Sequence, residues 1–171
     1  AALLIAFFSN AVNLADGLDG LAGGTSAIAY VAYGVLCWAS GRQSLSLFCF
    51  ALVGVLMAFL WFNVHPARMF MGDTGSEALG AGLAVVAMSS GHWLLLPLIG
   101  LVFVADAVSV ILQVGYFKFT RRRYGEGRRI LRMAPLHHHY ELGGWSEVQV
   151  TSRCWIVSAV AAAVGVALGI G

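Results

Sequence analysis

The chain has 171 residues, of which 60% are hydrophobic and 11% charged, and it carries a formal charge of +2. A soluble domain has roughly 45–50% apolar and about 25% charged residues, so the composition excludes an ordinary soluble enzyme and indicates a membrane protein. No nucleic-acid partner is expected.

Charge-free runs extend over 20–41, 43–64, 78–105 and 154–171, and a helix needs about 20 apolar residues to cross roughly 30 Å of hydrocarbon. The fold class expected is therefore all-α, a polytopic transmembrane helical bundle. In chain order, a first helix runs to about Asn10, a second covers Leu21 to Ser40, and a third covers Leu45 to Asn63, where His65-Pro66 breaks it. A polar loop with Gly72, Asp73 and Gly75 leads to a short fourth helix, Glu77 to Ser89, capped by Ser76. A long fifth helix follows from Trp93 to about Phe119, then a basic segment of about thirty residues, then a last helix from Arg153 to the end. The chain opens at Ala1 inside an apolar run with no charged leader, so it reads as a fragment and as one membrane domain, 1–171.

Parity puts loops 10–20, 64–76 and 119–152 on one face and the turns near 41 and 91 on the other. The first face holds Arg68, Lys118, Arg121, Arg122, Arg123, Arg128, Arg129, Arg132 and Arg153, leaving only Arg42 elsewhere. The positive-inside rule makes it cytoplasmic. Every carboxylate except Asp106 falls there too. The Arg-rich stretch reads as a solvated loop or one touching anionic headgroups. Cys37, Cys49 and Cys154 match no paired metal or redox spacing and read as packing residues.

Three segments carry candidate chemistry. Asn13, Asp16 and Asp19 recur at intervals of three, which on a helical turn stacks them on one face, while Gly17 and Gly20 would let a phosphate approach the backbone. A capped loop with surface acids explains the same spacing. Asp73 lies between Gly72 and Gly75 in a tight turn and is the best single candidate for a Mg²⁺ ligand, since that ion takes carboxylate oxygens together with substrate phosphates. Stabilising its own turn is the competing role. In His137-His138-His139 three adjacent imidazoles cannot all face one metal, so phosphate or sugar contacts rank above metal ligation, with inert surface histidines as the alternative. Asp106 lies mid-helix, roughly 16 Å deep at about 1.5 Å per residue. Such carboxylates are functional by default; with no basic partner visible it reads as a helix-packing residue.

The stretches Ser9 to Leu14 and Asp16 to Ala22, Phe70 to Ser76, and Met133 to Leu142 with Gly144-Trp145 together resemble the MraY family of phospho-N-acetylmuramoyl-pentapeptide transferases, among the polyprenyl-phosphate N-acetylhexosamine-1-phosphate transferases. The resemblance covers nearly the whole chain. It implies about six helices of a ten-helix fold, with an N-terminal half and its paired aspartates missing. It implies Mg²⁺ on Asp73 with Asn13, catalytic roles for Asp73, Asp16 and His137, and substrate contacts from Asn13, Asp19, Asn63, Phe70, Gln113, His137 and His138, Phe70 stacking on uracil. The implied substrates are UDP-N-acetylmuramoyl-pentapeptide and undecaprenyl phosphate, giving lipid I and UMP at the cytoplasmic face of the bacterial inner membrane. Membrane lipid and a second copy in a homodimer are the other partners. The rivals are a UDP-N-acetylglucosamine transferase, against which the His motif argues, and a transporter, which would hold its ionisable groups near the midplane.

Overall fold

A computed structural model describes residues 1–171. It is all-helical: α1 (Ala2–Ala15), α2 (Leu21–Ala39), α3 (Gln43–Asn63), α4 (Gly72–Ser89), α5 (Leu96–Ile99) preceded by a 3₁₀ turn at Trp93–Leu95, α6 (Leu101–Tyr124), α7 (Leu136–Glu141) and α8 (Glu147–Ile170). Helices α2, α3, α6 and α8 are long and apolar enough to cross a membrane.

Helix α2 is the axis of the bundle. It packs against α3 on one side and α8 on the other, while α1 lies between α4 and α6. Fourteen of its 19 residues are buried, because its small residues let neighbours approach closely, as helices associating in lipid require. Leu60 and Phe59 close on Gly23, Trp155 on Gly24, and Phe50 on Gly34. Outer faces remain apolar, with Leu47, Val55 and Trp61 of α3 and Ile156, Val160 and Leu168 of α8 exposed. In a bundle that spans a membrane, such faces meet hydrocarbon or further helices at no solvation cost.

The expected two-ended arrangement is present. At one end Arg42 donates to the Ser89 carbonyl and Tyr33 donates to the His92 carbonyl at 3.1 Å, tying the 40–42 and 89–92 turns together. At the other end the α1–α2 turn, the 64–71 loop, α7 and the start of α8 converge.

Several boundaries differ from expectation. Helix α1 continues past Asn10 to Ala15, so Asn13 is helical. Helix α4 starts at Gly72 rather than Glu77, which puts Asp73 in its first turn. Ser76 therefore caps nothing; its hydroxyl, inside the helix, donates to the Gly72 carbonyl at 3.0 Å. The fifth span is broken at Gly100, where Phe8 of α1 comes so near that a Cβ would stand 2.8 Å from its ring. Helix α7 lies within the 119–152 segment, where a loop is expected. Helix α8 begins at Glu147 rather than Arg153, because Ser146 and Gln149 form a reciprocal capping box, which satisfies two otherwise orphaned amides.

Candidate active site

Three groups of side chains surround the turn between α1 and α2. In the first, the Asn13 amide donates to Asp73 Oδ1 and to the Ser76 hydroxyl, both at 3.1 Å, so the last turn of α1 is bonded to the first turn of α4. Asp16 ends α1 beside them. Burial, reinforced by the charge on Asp73, pushes its carboxyl up to about 6. A carboxyl whose ionisation is opposed by burial and by a neighbouring acid suits a hard, oxygen-seeking cation. Asp73, Asp16 and the Asn13 side-chain oxygen are the donors available to one.

Asp19 does not join this group. The stacking expected for Asn13, Asp16 and Asp19 fails because α1 ends at Ala15 and the chain turns. Its Oδ2 instead accepts from the Ala67 amide at 2.9 Å and lies 3.0 Å from His65 Nδ1, which in turn lies 3.3 Å from Glu147 Oε2. Glu147 also accepts from the Asp19 amide at 2.6 Å. This second group latches the α1–α2 turn, the 64–71 loop and the start of α8 together. His65 and Glu147 went unnoticed in the sequence because they are 46 and 128 residues from Asp19.

The third group is built on α7. His137 Nδ1 is 2.9 Å from Asp106 Oδ2, and His138 Nδ1 is 2.6 Å from Glu141 Oε2. Both rings direct Nε2 at Gly17, where a Cβ would lie 2.7 Å from His137 and 3.3 Å from His138. Asp106 therefore has an imidazole partner, which corrects its reading as an unpartnered packing residue. The partner came from a helix invisible in the hydrophobic pattern. His139 turns away from this pair; its Nδ1 accepts from the Arg132 amide at 3.1 Å.

Asn63 and Gln113 are engaged by backbone. Asn63, buried, accepts from the Gly20 amide at 3.1 Å and donates to the Met69 carbonyl at 2.8 Å. Gln113 accepts from the Ile130 and Leu131 amides and donates to the Leu131 carbonyl, folding the basic loop back along α6. A substrate contact from either amide requires exchange of these bonds. Phe70 is free by comparison, 74% exposed, on the rim of an apolar groove of about 510 Å³ lined by Tyr30, Phe59 and Leu79.

The raised Asp16 carboxyl has a measurable consequence. A cation held by Asp16 would compete with its proton, so divalent-cation affinity should be steady above about pH 7 and fall below pH 6 by up to about tenfold per unit. Calorimetric titration with MgCl₂ between pH 5 and 7.5 checks this. A pH-independent affinity would remove Asp16 from the cation site.

Residues 1–91 match the family described as glycosyl transferase family 4. Proteins named phospho-N-acetylmuramoyl-pentapeptide-transferase are similar over most of the chain. That of Chloroflexus aurantiacus is 56% identical across 99% of this chain and 47% of its own length. That of Geobacillus kaustophilus is 54% identical across 92% and 47%, and that of Listeria welshimeri 52% identical across 93% and 48%. The chain spans about half the length of the curated relatives it matches. With more than half of its residues matched to the family, and its acids gathered where helix ends meet, the chain belongs to glycosyl transferase family 4.

Proposed function

We propose that the protein carrying this chain transfers phospho-N-acetylmuramoyl-pentapeptide from UDP to undecaprenyl phosphate in peptidoglycan synthesis, as the printed names of its relatives suggest. The observation that carries the reading is the pairing of Asp16 with Asp73 at the α1–α4 junction, with the exposed ring of Phe70 on the loop that leads into α4. A water-soluble donor and a lipid-borne acceptor both have access to a site at one end of a membrane bundle. The clustering of carboxylates there, with Asp106 bonded to His137, speaks against a midplane transport site.

In the proposed reaction a phosphate oxygen of the lipid attacks the β-phosphorus of the donor. The bond from that phosphorus to the bridging oxygen breaks, and UMP leaves with the electron pair. Asp73, Asp16 and Asn13 would hold Mg²⁺, which when bound offsets the charge of the diphosphate. Asn13, bonded to both Asp73 and Ser76, keeps the acids aligned. The helices that complete a ten-helix fold would come from the half of the relatives' length that this chain does not span. Release of UMP by the full-length protein, measured with UDP-N-acetylmuramoyl-pentapeptide against UDP-N-acetylglucosamine, tests the assignment. Equal turnover of the two, or turnover only of the second, overturns it.

The active end faces the cytoplasm of a bacterial inner membrane on this reading, since it carries all basic residues but Arg42. In a cysteine-free background, Arg42→Cys and Gly91→Cys should react with an impermeant maleimide added to intact cells. Labelling of Asp73→Cys from outside would reverse the orientation.

Phe70→Ala should raise the donor KM roughly five- to a hundredfold, since stacking of a base on an aromatic is worth about 1–3 kcal/mol in single-strand binders. The KM for the lipid phosphate should not change. An unchanged donor KM on folded protein would take Phe70 out of the site.

A further inference from the structure

We infer that Asp106 is a positioning residue: it fixes His137 so that Nε2 offers a hydrogen-bond acceptor, beside Gly17, to an O–H or N–H of the nucleotide-sugar donor. This rests on the proposed transferase reading and adds to it which kind of donor group the histidine meets.

Both side chains are buried, Asp106 at 3% exposure and His137 at 2%. Both carboxylate oxygens are committed to this one residue. Oδ2 lies 2.9 Å from Nδ1, and Oδ1 accepts from the His137 backbone amide at 3.4 Å. A carboxylate oxygen facing Nδ1 accepts, so the geometry puts the ring proton on Nδ1, and a ring with that one proton carries a lone pair on Nε2. That nitrogen is buried without a partner in the protein. A buried polar atom left unpaired costs free energy, and this one is aimed at the backbone of Gly17, next to Asp16. A side chain at position 17 would strike it at 2.7 Å; glycine leaves the space beside the nitrogen that any side chain would fill.

The chemistry of the lone pair selects the ligand group. Ionised phosphate oxygens have no proton to give, whereas sugar and ribose hydroxyls and the N–H groups of a base or an acetamido substituent do. His138 repeats the arrangement with Glu141, its ring 4.3 Å from that of His137. The acids at Asp16 and Asp73 serve the diphosphate; the two imidazoles serve the hydroxyl- and amide-bearing parts.

Asp106→Asn keeps shape but brings an NH₂ that can donate to Nδ1, moving the ring proton to Nε2 and turning the acceptor into a donor. In the full-length protein this should raise the KM for UDP-N-acetylmuramoyl-pentapeptide roughly ten- to a hundredfold and leave that for undecaprenyl phosphate unchanged. Asp106→Glu, which retains a carboxylate, should stay within about threefold of wild type. Nitrogen-15 shifts of the histidine rings should report a bare Nε2 at His137 in the wild type and a protonated one in Asp106→Asn. Overturning results are a protonated Nε2 in the wild type, an unchanged donor KM in Asp106→Asn, or equal loss in both variants, which would mark Asp106 as purely structural. If the wild-type protein turns over no such donor, the transferase reading fails. The nitrogen-15 shifts still decide the tautomer.

Discussion

Asp73→Asn in the full-length protein is expected to abolish measurable turnover, a loss of roughly 10²–10³-fold or more, the scale seen when a preorganised electrostatic stabiliser is removed. The substitution is isosteric, and the asparagine oxygen can still accept from Asn13, so the α1–α4 junction should hold. Thermal stability in detergent should therefore stay close to wild type while activity disappears. The neighbouring acid reports the same event independently. With the charge on Asp73 gone, one of the two causes that raise Asp16 is lost, and its ionisation should move below pH 6 while burial keeps it above an ordinary aspartate. Activity near wild type at saturating Mg²⁺ would remove Asp73 from the reaction.

The largest structural effect is expected at Gly80. A Cβ there would stand 2.1 Å from the Phe8 carbonyl oxygen, 2.7 Å from its carbon and 2.8 Å from Ser9 Cα. All three are backbone atoms of α1, so no rotamer change relieves the clash. Gly80→Ala must push α1 off α4, at the upper end of the roughly 1–3 kcal/mol typical of overpacking or beyond it, and it stretches the Asn13–Asp73 bond that the same interface supports. Gly54→Ala is the matched control: nothing lies within 4 Å of its Cβ, and losing a mid-helix glycine favours the helix by about 1 kcal/mol. Thermal unfolding of both variants in the same detergent decides. Equal midpoints would mean that α1 and α4 are not in the contact described.

The acid pair and its asparagine were legible as candidates, since Asn13, Asp16 and Asp73 lie in glycine-punctuated segments at the end of the bundle where charge gathers. Their grouping was not. Spacing by three put Asp19 with Asp16, but the pattern holds only while the helix continues, and α1 stops at Ala15. Asp19 was free to turn toward His65 and Glu147. Asp73 was expected in a loop because glycines flank it. The helix reaches it because Gly72 takes the left-handed φ of +68° that only a glycine enters without strain.

What the sequence by itself determined is the membrane class, the run of apolar helices and the end of the bundle where the candidate residues gather. These follow from composition, periodicity and the sign of loop charge, which are local or additive properties. The tertiary structure alone decided the partnerships: Asp106 with His137 across 31 residues, Asn13 with Asp73 across 60, Asp19 with Glu147 across 128. A hydrogen bond depends on which helix ends meet and at what angle. That is set by small residues such as Gly24 and Gly80, which let one backbone lie close against its neighbour, and no count along the chain reveals which neighbour it will be.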